Sequence, residues 1–583
     1  MLTGLKKLGL LRGGVVLLIS FLAMTAATRA LSLWLDPPHP ITVHVRWRAD
    51  LDVFRRGALE QQLNLVLGQR MEGNTWRYTL GKPTTEAIQA IVQHPNAEDT
   101  AHLDRDRFRP EFSEDSAARA RYFGWIGGGA GGLALLVGLV WLLGDARSRI
   151  AAAIAPGEVR VYGVMAAVML CAYVGAAIAR FAGHSEKVFG FAQIRSPGWL
   201  LVSAAIVGVM MLGRHASAER RLRRGLPWLR GLPARLLLSL GAGATCWALR
   251  THFVNSDGQG FATKFMADIP RRGSHVTHDE MWELWIHSKF WIFTNLRFGW
   301  SVEESYAVLS CAAGAVFVFL LLTYCLDVMP SRGVSMFALC LAAGYVQLLF
   351  GDVENYTLMT MWVMAYFAAA AKFLEGSWSV VWASILLAIA LTFHLEAGFL
   401  LPSLAFLFWS ALTRGQWRSA MGGSLAVGLI SAGTLWFFHT HGLPITDIWG
   451  SHAFARGQGY GVVIVQPSRE YYAQLTNLVF LLMPAWMLLV PLVAYRRIRF
   501  DAINLHLLVA TVVMGVFVLV WRASLGVYND WNLFAMAAIP VTLLVWRNVL
   551  MVDCLRQHPG PLVALYVLFL VHSGSWIVAN HNL

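Results

Sequence analysis

The sequence predicts a mostly α-helical, polytopic membrane bundle of about 13 to 15 spans, with a small α/β extracytoplasmic domain after the first span. Three observations predict it. Of 583 residues, 57% are hydrophobic and only 14% charged, with a mean hydropathy of +0.53, far from the balance of a soluble enzyme. Apolar runs of roughly 17 to 25 residues recur along nearly the whole chain, the length needed to cross a bilayer as helix. A single sizeable polar stretch, about Asp36 to Tyr122, interrupts them. These features exclude a disordered tail and a collagen-like fibre. The six cysteines form no spaced disulfide framework; five lie in apolar stretches and read as small apolar fillers.

Each element follows in chain order. Residues 1–35 form a membrane anchor, because the apolar run Gly13 to Leu35 follows Lys6, Lys7 and Arg12. A small-residue site near Ala30 also fits a signal peptide, but the length of the run favours an uncleaved anchor. Residues 36–122 form the small α/β domain. Ile41 to Trp47 alternates like a strand, Val53 to Leu67 turns helical, Trp76 to Leu80 gives a second strand, and Thr84-Thr85 opens another helix. Residues 123–232 add spans near 123–143, 159–180 and 197–213 and a basic loop. Residues 233–583 form the main membrane module, with spans near 233–250, 305–326, 334–350, 356–373, 378–394, 397–413, 422–439, 476–495, 504–521, 533–546 and 561–579 and a long loop over 251–305.

The net charge of +13 is a topology signal and not a nucleic-acid footprint, since much of the excess lies in short loops between spans. Arg214 to Arg235 carries seven arginines, and Arg496, Arg497 and Arg499 share another connection, so both are expected in the cytoplasm. Alternating from either anchor places the amino terminus inside and the 36–122 domain and carboxyl terminus outside. For a bacterial inner membrane, that outside is the periplasm.

This topology gathers the unusual chemistry on the outer face. In the 251–305 loop, Asp257 directly follows a span, and Asp279 and Glu280 open an amphipathic helix. A carboxylate at a membrane surface, partly desolvated, can take a proton from an acceptor hydroxyl, which makes Asp257, Asp279 and Glu280 candidate bases. The plainer reading is that Asp257 caps a turn and that Asp279 and Glu280 favour a helix amino end. Asp352, Glu354, Asn355 and Tyr356 fill one short turn between spans, and a tight Asx turn does not require all four there. His394 and Glu396 close the next span pair, and Asp530 lies at a later one; all are candidate substrate-binding groups.

Lys264, Arg271, Arg272, Arg456 and Arg469 occupy outer loops against the positive-inside trend. Solvated loop charge is the ordinary explanation; an anionic phosphate held at the surface is the functional one, because Arg and Lys stabilise a leaving phosphate. Two motifs are set aside. Gly127 to Gly132 imitates a dinucleotide loop but falls inside a span, and His275-x-x-His278-Asp279 has ligand spacing without a visible fourth ligand, so a divalent metal is not favoured. No phosphate loop for cytoplasmic ATP is present.

These residues together resemble the GT-C class of membrane glycosyltransferases over about Arg235 to Asn580. The resemblance rests on a span leading into a long outer loop with acids near its start, amphipathic helices, and entry to the next span through Phe298 to Ser305. The 351–356 turn, His394-Leu-Glu396, Asn529-Asp-Trp-Asn532 and the His572, Trp576, Asn580 stretch resemble an uncharacterised bacterial subgroup. The class implies sugar transfer from a polyprenyl-phosphate donor to an acceptor on the periplasmic face, with Asp257 or the Asp279-Glu280 pair as base and no cofactor beyond the lipid-linked sugar. Asp257 stands alone where better-known members carry adjacent acids. The expected partners are a polyprenyl-phosphate sugar, membrane lipid and an envelope acceptor, with a further partner open for the 36–122 domain.

Two other classes compete. A transporter or flippase usually carries ionisable groups near mid-membrane, whereas here the acids cluster at one surface. A non-catalytic envelope scaffold is distinguished from the enzyme by assaying sugar transfer.

Overall fold

The computed structural model describes residues 42–47, parts of 59–80, 97–99, 157–181, 227–251, parts of 258–280, 281–441, 469–521, 527, 530–557 and 560–581. The expected anchor at 1–35, the helix after Thr84, the spans at 123–143 and 197–213, and the Gly127 to Gly132 run lie outside these residues. The chain divides into two compact units, Met1–Ile126 and Gly127–Leu583.

In the first unit, β1 (Thr42–Trp47), β2 (Leu65–Arg70), β3 (Thr75–Leu80) and β4 (Ala97–Asp99) form one antiparallel sheet in the order β2-β3-β1-β4. The strand read in 41–47 is β1, with Val45 buried and opposite Trp76 in the register of the ladder. The helix expected through Leu67 ends earlier. Leu63 donates to the Leu59 carbonyl in a last helical turn, and Leu65 to Arg70 then pairs with β3. Cross-strand pairing overrides the local helical pattern there.

The second unit is helical: α1 (Gly157–Phe181), α2 (Leu232–Ala248), α3 (Met281–Phe298), α4 (Val302–Val328), α5 (Gly333–Leu341), α6 (Thr357–Leu374), α7 (Val380–Phe393), α8 (Leu401–Thr413), α9 (Trp417–Thr440), α10 (Arg469–Leu482), α11 (Leu489–Ala494), α12 (Ala502–Val520), α13 (Ala538–Val549), α14 (Asp553–Gln557) and α15 (Gly560–His581). Among the described residues, six helical segments are long and apolar enough to cross a membrane, or seven if one bent pair is a single span. The chain is a multi-pass membrane protein.

Two expected spans are broken. The 334–350 run divides into α5 and a 3-10 segment, Gly344–Leu349, and the 476–495 run bends by 97° between Leu482 and Pro484. Pro484 supplies no N–H and disfavours helical backbone at Met483, so α10 stops there. The Leu481 carbonyl is then the common point of both breaks. It accepts a hydrogen bond from His572 Nε2 at 3.1 Å, and it lies against Gly344 so closely that a Cβ there would overlap it.

Hydrogen bonds and ion pairs sort the helix ends. Lys372 pairs with Asp327 at 2.9 Å, Arg414 donates to the Phe373 and Leu374 carbonyls, Arg235 donates to Thr323, and Arg547 pairs with Asp501 at 2.8 Å. The basic connections thus gather at one end of the bundle. Between the ends, Tyr366 joins Ser403 at 2.6 Å and His506 at 3.0 Å, tying α6, α8 and α12 through a buried polar contact.

Candidate functional site at the acidic end

The site begins where α3 ends and α4 starts. Gly299 takes φ of 70° and stops α3, and Ser301 and Glu304 form a reciprocal capping box that starts α4. This turn sets Tyr306, in the first turns of α4, against α3. Its ring stacks on His287 with centroids 3.7 Å apart and on Phe261 at 5.7 Å.

Glu280, which precedes the first residue of α3, and Glu283 and His287 within it follow helical spacing. Glu283 is fully buried, and its two carboxylate oxygens accept the Leu358 and Met359 N–H groups, each at 3.1 Å. It therefore caps α6, satisfying donors that a helix start leaves unpaired. This fixes the chain just before α6, which is the acidic 351–356 turn.

Glu280 is the centre of a directed hydrogen-bond chain. Tyr306 donates its hydroxyl to Asn355 Oδ1 at 3.0 Å, and Asn355 Nδ2 donates to Glu280 Oε2 at 2.9 Å. Glu280 Oε1 lies 3.5 Å from His394 Nε2. On the other side of the ring, His394 Nδ1 accepts the Glu396 N–H at 3.1 Å. That bond occupies the Nδ1 lone pair, so the neutral ring carries its proton on Nε2, directed at Glu280. The Asp279 carbonyl accepts the Leu395 N–H at 3.0 Å and holds the two segments together.

Burial pushes Glu280 above the ordinary carboxylate range, while the hydrogen bonds from His394 and Asn355 pull against that rise. Burial disfavours charge on His394 as well, but the Glu280, Glu396 and Asp279 carboxylates outweigh it and push the imidazole up to about 9. Tyr356, 4.9 Å from the His394 ring, is held protonated by burial and by the charges of Glu280, Glu354, Glu396 and Asp530.

The structure thus brings together Glu280, Glu354, Asn355, Tyr356, His394, Glu396 and Asp530, from four connections remote in sequence. All but Glu280 and Tyr356 are buried. Neither carboxylate oxygen of Glu396 has a hydrogen-bond partner among the described residues, and the same holds for Asp352 Oδ2. Burial pushes Asp352 up to about 7. Asp279 is half-buried and meets the cluster through its backbone. Lys264 is exposed, 5.5 Å from the Phe261 ring that stacks on Tyr306. Arg469 opens α10. Asp257, Arg271, Arg272 and Arg456 lie outside the described residues.

Sequence reading assigned no role to Glu283, His287 or Tyr306. The signal was present in the i, i+3, i+7 spacing of Glu280, Glu283 and His287, which marks one helix face. Beside the cluster, His275 Nδ1 meets Asp268 at 2.6 Å, and Ser288 hydrogen-bonds the His275 backbone. His275 is therefore engaged in holding the loop on α3.

No family model and no curated protein matches the sequence. The crystal structure of ArnT from Cupriavidus metallidurans bound to undecaprenyl phosphate is similar to this chain with a TM-score of 0.42 and 12% sequence identity, over 61% of this chain and 78% of that one.

Proposed function

We propose that the protein is a membrane glycosyltransferase of the GT-C kind, moving a sugar from a polyprenyl-phosphate donor to an acceptor hydroxyl at the acidic end of the bundle. The observation that carries this reading is the buried chain from Tyr306 through Asn355 to Glu280 and His394, which holds a carboxylate of raised proton affinity at the end away from the basic connections. By the positive-inside rule the basic end is cytoplasmic, so this end faces the periplasm of an inner membrane.

In the proposed reaction the acceptor oxygen attacks the anomeric carbon and forms the new glycosidic bond. The bond from that carbon to the phosphate oxygen breaks, and polyprenyl phosphate leaves with its electron pair. Glu280 takes the hydroxyl proton, its burial having brought it closer to the affinity a base needs at neutral pH. His394 and Asn355 orient Glu280. Asp352, Glu354, Tyr356, Glu396 and Asp530 bind sugar hydroxyls. Lys264, Arg271, Arg272, Arg456 and Arg469 hold the leaving phosphate. Asp257 and Asp279 are the alternative bases.

The test is sugar transfer in nanodiscs supplied with mixed radiolabelled polyprenyl-phosphate sugars and envelope extract. Glu280→Gln is expected to lower turnover by about 100-fold or more, the usual worth of a general base. Loss confined to Asp257→Asn or Asp279→Asn would move the base to that residue. Full activity in all three variants, or no transfer by the wild type with any donor, would overturn the proposal.

A further inference from the structure

The connection from α11 to α12 carries Arg496, Arg497 and Arg499, and the structure gives each a different position. Two hydrogen bonds close α11: the Arg497 N–H donates to the Leu492 carbonyl at 2.7 Å, and the Arg496 N–H donates to the Val493 carbonyl at 3.0 Å. This pair is the common closure of a helix end, in which the left-handed residue is ordinarily glycine. Here that residue is Arg496, with φ of 52°, and among the described residues no other non-glycine residue takes a positive φ. A Cβ is strained in this region, so the turn forms less readily with arginine than it would with glycine.

Neighbouring helices hold the turn on both sides. Arg497 forms a two-pronged ion pair with Glu158 at the start of α1, Nε to Oε1 at 2.9 Å and Nη2 to Oε2 at 2.7 Å. The Arg499 N–H donates to Asn548 Oδ1 on α13 at 3.0 Å. The side chains of Arg496 and Arg499 are exposed, and neither has an ion-pair or hydrogen-bond partner among the described residues. Of the acids at this end of α1, α12 and α14, Glu158 is taken by Arg497 and Asp501 by Arg547 at 2.8 Å, which leaves Asp553. Arg160 stands on the positive side as well, so the acids do not neutralise the turn. Beside the two unpaired guanidinium groups, Val490, Val493 and Phe500 are 58%, 63% and 72% exposed. A water-soluble anion bound here would leave these apolar groups in water, whereas a lipid covers them with its chains. The excess positive charge selects an anionic headgroup over a zwitterionic one, and the guanidinium fork matches phosphate oxygens.

We infer that the turn from Arg496 to Phe500 is a binding site for an anionic phospholipid, drawn from the leaflet at the basic end. Arg496 and Arg499 take the phosphate, and Val490, Val493 and Phe500 meet the acyl chains. Arg497 holds the turn to α1 and is not itself a ligand. This inference is independent of the proposed sugar transfer.

The test uses the full-length protein, delipidated, supplied with equal amounts of phosphatidylglycerol and phosphatidylethanolamine and examined by native mass spectrometry. Wild type is expected to retain phosphatidylglycerol about 5-fold or more over phosphatidylethanolamine. Arg496→Gly and Arg499→Gln should each lower that ratio, and the double variant should bring it close to 1. Glycine suits the left-handed turn, so Arg496→Gly removes the guanidinium without endangering the fold. Arg418→Gln, which removes another exposed arginine at the basic end, should leave the ratio unchanged. Equal retention of the two lipids by wild type, or full preference in the folded double variant, would overturn the inference. An equal loss in Arg418→Gln would overturn it too, by assigning the preference to the general charge of this face.

Discussion

Asn355 donates its side-chain amide to Glu280 at 2.9 Å across 75 residues of chain, and so locks the turn before α6 onto the start of α3. The same amide group accepts from Tyr306 on α4. One fully buried residue thereby joins three segments and orders the donors around Glu280. Four predictions follow the consequences of this arrangement outward.

Glu283 is expected to be a stability residue. Glu283→Ala strips two buried backbone N–H groups of their acceptor and should cost about 3 kcal/mol, the range for hydrogen bonds to charged groups. Glu283→Gln, which keeps one amide oxygen as acceptor, should cost less. Reversible unfolding in mixed micelles measures both; equal stability of wild type and Glu283→Ala would remove the cap from the account.

Glu280 and His394 should be energetically coupled. A double-mutant cycle with Glu280→Gln and His394→Gln is expected to give an interaction of about 1 kcal/mol, within the usual range for residues sharing one network. Additive losses would show that the 3.5 Å approach contributes nothing.

Asp352 should make stability fall as pH rises. Its carboxyl moves from an ordinary 3.8 to about 7 in the fold, so between those values the native state binds more protons than the unfolded chain. The stability associated with the neutral acid is fully present below about pH 4 and is lost as pH rises through about 7. Asp352→Asn should flatten this part of the profile, as read from unfolding midpoints at pH 4 to 8. An unchanged slope in the variant would place the titration elsewhere.

Gly351 should not tolerate a side chain. Its φ of 75° is left-handed, and a Cβ there would approach the Arg250 Cβ to 2.8 Å. Gly351→Ala is expected to cost about 1 to 3 kcal/mol through backbone strain alone and to displace Asp352 and Glu354. If sugar transfer is the activity, the variant should lose it disproportionately to its stability. Unfolding and transfer assays on one preparation separate the two effects.

Much of the bundle was legible from composition and period. The runs at 305–326, 356–373, 422–439 and 504–521 coincide with α4, α6, α9 and α12 to within a few residues, because a span must satisfy its backbone internally and remain apolar over a fixed length. The breaks were not legible. Residues 334–350 are apolar enough to read as continuous, and their division goes with Gly344 meeting Leu481 across the fold, whereas in 476–495 Pro484 was a local signal that the apolar run outweighed. The strand at Leu65–Arg70 was missed for the same kind of reason, since its partner β3 determines it.

The sequence alone determined that the acids of the outer connections are unusual, since short turns require no such density of Asp, Glu, His and Tyr at Asp352 to Tyr356 and His394 to Glu396. Only the tertiary structure decided which of them act together. Hydrogen bonds form between atoms about 3 Å apart, and the segments that supply Glu280, Tyr306, Asn355 and His394 are brought to that distance by the packing of helices on one another. For the same reason Glu283, to which the sequence assigned no role, became the buried acceptor that holds α6 in place.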